Sequence, residues 1–192
     1  MMRAMGRWEP DARGRLAKAA LELYGERGYE QTTVAEIAKR AGLTERTFFR
    51  HYADKREVLF AGAVELENLF VAAVTDAPGS EAPLDVVARG LYAAAEMFTD
   101  RREFACRRQA VIMGNAELRE RELIKLASLS AALADTLRRR GVAESTASLA
   151  AEAGVAVFKI AFERWIAAGE ERTLAELTRE SLDELRAVTS AG

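Results

Sequence analysis

The stretch TVAEIAKRAGLTERTFFRHY, residues 33–52, decides the fold of this chain. It begins with Thr33, and Glu36 follows three residues later; this spacing is that of a capping box, which marks the start of a helix. Apolar residues then recur at helical spacing, and Gly42 is a natural end point. We therefore predict a short amphipathic helix that begins after Thr33 and ends at Gly42.

The second half of the stretch predicts another short helix. Thr44 can cap it, and Phe48 and Tyr52 lie one turn apart, so both rings are expected to face inward. Two short helices joined by a turn that contains glycine form the helix-turn-helix pattern, whose second helix enters the major groove of DNA. The stretch therefore favours a nucleic-acid-binding function.

The rest of the chain also predicts helices, and we expect an all-α protein with about nine of them. An amphipathic helix that ends at Gly28 precedes the stretch, and a fourth helix, capped by Asp54, follows it to about Val74. A loop rich in Pro, Gly and Ser occupies residues 76–83. Five more helices are expected after it, at 84–99, 102–113, 116–140, 145–168 and 173–189.

Composition and charge suggest two domains. The chain has 192 residues, 49% of them hydrophobic and 30% charged, which is typical of a globular protein. Residues 1–56 hold twelve Lys/Arg and eight Asp/Glu, a balance of +4, whereas the remainder holds sixteen and twenty-two, a balance of −6. A polyanion is therefore expected to approach the N-terminal end. We predict a three-helix DNA-binding domain at 1–56 and a helical bundle for ligand binding and dimerisation at 57–192.

Several other classes of protein are disfavoured. With one cysteine, Cys106, and one histidine, His51, no intramolecular disulfide and no Cys/His metal site is expected. A Ser-His-Asp set would have to use His51, and no Gly-rich phosphate loop occurs, so we expect no catalytic residues and no enzyme. Residues 1–10 lack the apolar core of a signal peptide, and no run of about 18 apolar residues occurs. We expect a cytoplasmic protein without membrane contact.

The expected recognition helix carries the candidate DNA contacts. Glu45, Arg46 and Arg50 are candidates for base edges, because arginine can bind guanine through two hydrogen bonds and glutamate can accept from the cytosine amino group. The residues better placed for phosphates are Thr47, His51 and Lys55. The predicted DNA-binding surface also includes Thr33, Thr44 and Phe49. For His51 the alternative is a half-buried side chain satisfied by the main chain.

The segment TTVAEIAKRAGLTERTFFRHYADKREVLF resembles the DNA-binding segment of the TetR family of regulators, and the match spans roughly residues 10–60. Phe49 stands where that family usually has tyrosine, so a phenolic hydrogen bond to phosphate is lost. The resemblance implies a homodimeric regulator that binds a palindromic double-stranded DNA operator and is released by a small-molecule effector. The family's pattern is matched at Gly42, Leu43, Thr44, Thr47, Phe48, His51, Tyr52 and Lys55.

A second resemblance concerns the C-terminal part. The segment RRGVAESTASLAAEAGVAVFKIAFERWI resembles the ligand-binding domain of the mycofactocin-regulator branch of the same family. For that branch the resemblance implies a long-chain acyl-coenzyme A effector and no other cofactor. Residues 147–160 carry only two charges, so one side of this helix is expected to face its own bundle and the other a partner subunit.

The effector contacts are predicted from one arginine and four aromatic residues. Arg108 lies four residues after Phe104 on the expected apolar stripe of its helix, and a buried cation needs an acid, solvent or an anionic ligand as partner. A stripe of aromatic residues is more often plain core than a cavity lining. A DNA-binding architectural module without an effector is therefore the remaining alternative. The predicted effector contacts are Phe104, Arg108, Phe158, Phe162 and Trp165.

Overall fold

The computed structural model describes residues 11–190, and within this range the chain forms nine α-helices and no β-strand. The all-α prediction with about nine helices is confirmed. The expectation that no signal peptide is present concerns residues 1–10, which lie outside the described residues. The helices are α1 (Ala12–Arg27), α2 (Val34–Arg40), α3 (Glu45–His51), α4 (Ala63–Thr75), α5 (Pro83–Met97), α6 (Arg102–Met113), α7 (Ala116–Arg139), α8 (Glu144–Trp165) and α9 (Leu174–Ser190).

The described chain forms two compact units, whose membership differs from the predicted domains. The first unit contains residues 11–61 and 107–118, so it includes the second half of α6 as well as α1 to α3. The second unit contains residues 62–106 and 119–190. Because helical periodicity is a local signal, it locates α6 correctly but does not indicate that this helix contributes to both units.

The helix-turn-helix of the first unit forms as its caps predict. The expected apolar face of α1 is buried from Leu16 to Tyr24, and Phe48 of α3 is fully buried. Gly28 follows α1 with a φ of 87°, and Gly42 turns the chain between α2 and α3 with a φ of 68°. Glycine adopts this left-handed region at little steric cost, which explains why both helices end where they do.

The expected fourth helix is interrupted. Asp54 accepts a 3.1 Å hydrogen bond from the N–H group of Glu57, as its capping role predicts. The chain then forms only a 3₁₀ turn over Glu57–Phe60, and α4 begins at Ala63. The last three residues of the 3₁₀ turn are all buried.

The second unit is a bundle around α5. This helix packs against α4, α8 and α9, and α8 packs against α9. Two interior glycines allow close approach: a Cβ atom on Gly90 would lie 2.5 Å from Cδ1 of Phe70, and one on Gly154 would lie 2.3 Å from Cγ1 of Val87. Larger residues at these two positions would push the neighbouring helices apart.

Two stretches have the length and composition of a membrane span, although the sequence predicts none. They are Glu57–Thr75 and Glu144–Trp165. The first is not one α-helix, since it contains the 3₁₀ turn and the break before α4. The second is α8, whose Ala151 and Ala161 are fully buried in the unit. Core helices of water-soluble proteins pass the same test of length and composition.

Candidate functional site

The start of α2 has the geometry that its sequence predicts. The hydroxyl of Thr33 accepts from the N–H of Glu36 at 3.3 Å, and Oε2 of Glu36 accepts from the N–H of Thr33 at 2.9 Å. Arg27 adds an ion pair of 2.7 Å. The main-chain hydrogen bond from Thr33, its hydroxyl and the Arg27 guanidinium together lower the pKa of Glu36 below its usual value. The carboxylate is therefore ionised at neutral pH and completes the capping box.

The recognition helix α3 separates buried anchors from an exposed face. Its cap is formed, since Thr44 accepts from the N–H of Thr47 at 3.2 Å. Phe48 and Tyr52 point inward, with ring centroids 5.6 Å apart. Their opposite face is exposed, and the charged candidates for base contacts lie on it around Phe49, which is 56% exposed. This exposed face consists of Glu45, Arg46, Phe49 and Arg50.

His51 and Lys55 occupy different surroundings from those expected. Nε2 of His51 is buried without a hydrogen-bond partner in residues 11–190, so this atom does not make the main-chain contact of the alternative interpretation. The ammonium of Lys55 donates to the main-chain oxygens of Tyr29, Glu30 and Thr32 at 2.9, 3.3 and 3.1 Å. A phosphate contact by either side chain stays a prediction.

Ion pairs and tyrosine hydroxyls that no sequence pattern predicts hold the helix-turn-helix together. Arg40 of α2 binds both carboxylate oxygens of Glu26 at 2.9 and 2.8 Å, which ties α2 to α1. The hydroxyl of Tyr24 donates to the main-chain oxygen of Lys55 at 2.6 Å, and the hydroxyl of Tyr52 donates to the main-chain oxygen of Arg13 at 3.0 Å. Partners 14 to 39 residues apart have no local sequence signal.

A groove of about 590 Å³ lies in the first unit between the second half of α1 and the second half of α6. No local sequence signal predicts it, because even the nearest residues of its two walls, Tyr29 and Arg107, are 78 positions apart in the chain. The sequence predicts a ligand site elsewhere, among aromatic residues of the C-terminal part.

Three of the five predicted effector contacts lie together in the second unit. Phe158, Phe162 and Trp165 form a cluster of aromatic rings with Phe98, whose centroid is 5.5 Å from that of Phe162 and 6.0 Å from that of Trp165. Phe98, like Phe162, contacts all three other rings of the cluster. As one of several aromatic residues at helical spacing, it carries no sequence signal that singles it out.

The other two predicted effector contacts lie elsewhere on α6. Phe104 is 42% exposed, and it is the next residue, Ala105, that is buried. The expectation that Phe104 belongs to the apolar stripe is therefore wrong, because the buried side of α6 runs through Ala105 and Ile112. Arg108 lies in the first unit, where Nε donates to the main-chain oxygen of Leu59 at 2.7 Å.

The surface of α8 shows the second apolar side that the sequence predicted. Leu149 is 71% exposed and Ile160 is 48% exposed, although both lie on a helix whose opposite side is core. Val188 of α9 is 79% exposed. Exposed large apolar side chains of this kind favour binding of a protein partner.

Metal binding has no support in the described part of the chain. Residues 11–190 contain no group of three or more His, Cys, Asp or Glu side chains placed to hold a metal ion.

Comparison with known families finds two matches that together cover most of the chain. Residues 16–61 match the family of bacterial regulatory proteins, tetR family. Residues 81–190, more than half of the chain, match the family described as the MftR C-terminal domain.

Comparison with curated proteins finds relatives of part of the chain. HTH-type transcriptional regulator TcmR of Streptomyces glaucescens is 41% identical over 75 residues, which are 39% of this chain and 33% of TcmR. HTH-type transcriptional repressor BepR of Brucella suis biovar 1 (strain 1330) is 32% identical over 99 residues, 48% of this chain and 46% of BepR. The matches therefore span less than half the length of these relatives.

Comparison with solved structures finds the same fold over nearly the whole chain. Thermus thermophilus FadR, a TetR family transcriptional repressor in complex with lauroyl-CoA, matches with a TM-score of 0.56 and 27% identity, over 91% of this chain and 93% of that chain. The complex of SmeT with triclosan matches with a TM-score of 0.64 over 92% and 90% of the two chains. At 18% identity this second likeness concerns the fold alone.

Proposed function

Because the chain belongs to the TetR family of bacterial regulatory proteins, we propose that it is a homodimeric transcriptional repressor that a small-molecule effector releases from its DNA operator. One observation carries this proposal: the exposed face of α3 presents two arginines and a glutamate, while Phe48 beneath it is fully buried. This is the arrangement that a helix needs in order to enter a major groove. The proposed role requires no catalytic residue and places the protein in the cytoplasm.

The proposed DNA contacts follow from the exposure and charge of the individual side chains. Arg46 and Arg50 contact base edges, and Glu45 is available to accept from a cytosine amino group. Thr33, at the exposed start of α2, and Thr44 contact the backbone of the duplex. Phe49 makes apolar contact with sugar or a thymine methyl group.

A dimer is proposed because the outer side of α8 is apolar. Leu149, Ile160 and the neighbouring Ala156 are exposed at helical spacing, and a second copy of the chain would remove them from water. Two α3 helices about 34–36 Å apart would then engage successive major grooves, so we expect a palindromic operator.

Long-chain acyl-coenzyme A is the proposed effector. FadR, at 27% identity, holds lauroyl-CoA, and the aromatic cluster around Phe98 offers this chain an apolar environment for an acyl tail. Phe104 and Arg108 stay predicted effector contacts. An effector that binds the form with a different separation of the two α3 helices lowers DNA affinity by its differential binding free energy.

Selection of DNA from a random library by the purified protein tests the proposal. We expect one palindromic sequence to be enriched, and an Arg46→Ala/Arg50→Ala variant with an unchanged circular dichroism spectrum to enrich none. Acyl-coenzyme A esters of increasing chain length are then titrated against the complex, with coenzyme A alone as the control. Selection that enriches no sequence contradicts the DNA-binding role; an operator complex that no ester dissociates contradicts the effector.

A further inference from the structure

The ammonium group of Lys55 is surrounded by the main chain of its own unit. Its three N–H donors face three main-chain oxygens at 2.9, 3.3 and 3.1 Å. The Tyr29 ring lies on one side, with its centroid 4.4 Å from Nζ. Every donor that a phosphate would need is therefore already used within the first unit.

The three acceptors all belong to the connection between α1 and α2. The last of them is the oxygen of Thr32, which directly precedes Thr33, the cap of α2. Lys55 itself follows the last residue of α3, His51, by four positions. The side chain therefore joins the end of the recognition helix to the start of the helix before it.

The main-chain oxygen of Lys55 also accepts a hydrogen bond. The hydroxyl of Tyr24 donates to the oxygen of Lys55 at 2.6 Å. Tyr24 is buried, and burial raises the pKa of its hydroxyl above the ordinary value of 10.0, so it remains a donor at physiological pH. The main-chain oxygen of Lys55 is therefore hydrogen-bonded to α1, and its ammonium group is hydrogen-bonded to the connection between α1 and α2.

We propose that Lys55 is a positioning residue, which holds the start of α2 in register with α3, and that its ammonium group does not bind DNA phosphate. This inference rests on the proposed DNA-binding function. A phosphate contact and a positioning contact both act on every DNA sequence alike, so a uniform loss of affinity does not distinguish them. The charge of the side chain, its hydrogen-bond geometry and its chemical accessibility distinguish the two contacts.

Chemical labelling of the unaltered protein is the first test, and its first arm requires no DNA. The chain has five lysines, of which Lys18 and Lys39 are exposed in the same unit and serve as controls. Limited acetylation with peptide mass spectrometry should modify Lys55 at least about tenfold more slowly than these two, because its nitrogen is hydrogen-bonded on three sides. Adding operator should leave the rate at Lys55 unchanged. Fast labelling in the free protein that operator suppresses would overturn the proposal.

Salt dependence of operator binding is the second test. One lost phosphate contact lowers the slope of log affinity against log salt concentration by about 0.9. We expect Lys55→Met to weaken binding by roughly tenfold with an unchanged slope. A slope reduced by about 0.9 would identify a phosphate contact instead.

The conservative variant Lys55→Arg separates the two roles further. A guanidinium keeps the charge and binds phosphate well, but its planar fork does not match three oxygens arranged around one nitrogen. We therefore expect Lys55→Arg to lose operator affinity as Lys55→Met does; full affinity would overturn the proposal. Thr173→Ala removes a capping hydrogen bond in the second unit and should lower stability there, so it is the control for loss of stability alone. Since labelling of the free protein needs no operator, it still tests the contact if the DNA-binding role fails.

Discussion

Arg108 donates a hydrogen bond of 2.7 Å from Nε to the main-chain oxygen of Leu59, and its guanidinium carbon lies 5.1 Å from the centroid of the Phe60 ring. Leu59 and Phe60 belong to the 3₁₀ turn that follows the helix-turn-helix. The second half of α6 is therefore attached to this turn within the first unit. This attachment gives Arg108 a structural role that requires no effector.

Replacing Arg108 tests both of its suggested roles. We expect Arg108→Ala to lower the free energy of unfolding by about 1–3 kcal/mol, because a hydrogen bond from a charged donor is lost and a partly buried oxygen is left without it. Thermal and urea unfolding measure this change, with the exposed Arg107→Ala as the control on the same helix. If Arg108 also contacts the effector, the acyl-coenzyme A concentration that releases operator should rise; an unchanged midpoint would refute that contact.

Arg46 is predicted to determine one base of each half-site. Arg46→Ala should cost about 1–3 kcal/mol at the preferred sequence and relax the preference at a single position, since a bidentate contact to one base is lost. Binding to a library of operators randomised one position at a time measures this. Equal loss across the whole library would show that Arg46 contacts phosphate.

Two capping boxes of the same kind allow a matched comparison. In the second unit Thr173 accepts from the N–H of Glu176 at 3.2 Å, as Thr33 does from that of Glu36 at 3.3 Å. Thr33→Ala and Thr173→Ala should each cost about 1 kcal/mol of stability. Only Thr33→Ala should also weaken operator binding, by roughly three- to tenfold, because α2 begins at the proposed DNA surface. Equal operator affinities for the two variants would argue against a DNA contact at the start of α2.

Acid should remove the contribution of Glu36 to stability. The main-chain hydrogen bond from Thr33 is the largest cause of its lowered pKa. Because the pKa is lower in the folded state, the stabilisation is fully present above the unfolded value of about 4.3 and is lost as the pH falls through the folded value. We expect Glu36→Gln to melt below the unaltered protein at pH 7, and the difference to shrink toward pH 3. A difference that does not depend on pH would contradict this origin.

The exposed side of α8 is predicted to form the dimer. Leu149→Glu would bury a charge in the interface, at a cost of several kcal/mol, and should raise the dimer dissociation constant by more than about 100-fold. Light scattering over a concentration series measures it. Leu123→Glu, a change of the same kind at a 60% exposed position on α7, is the control and should remain dimeric. A monomeric unaltered protein at micromolar concentration would refute the interface.

The sequence by itself determined the parts of this protein whose causes are local. Thr33 with Glu36, and Thr44 with Thr47, are three residues apart, so the hydrogen bonds that start α2 and α3 are implied by spacing alone. The φ angle of Gly42 is likewise a property of one residue. The exposed face of α3 then follows, because Phe48 must be buried and helical geometry places Arg46 and Arg50 away from it.

Only the tertiary structure decided which distant groups meet. Lys55 finds its oxygen acceptors 23 to 26 residues earlier in the chain, and Arg108 finds its acceptor 49 residues earlier. A cation without a local partner shows no sign of a distant one, so the spacing of the sequence implies neither contact. Burial of Val58, Leu59 and Phe60 in the 3₁₀ turn likewise depends on what packs around that turn, which no window of local sequence contains.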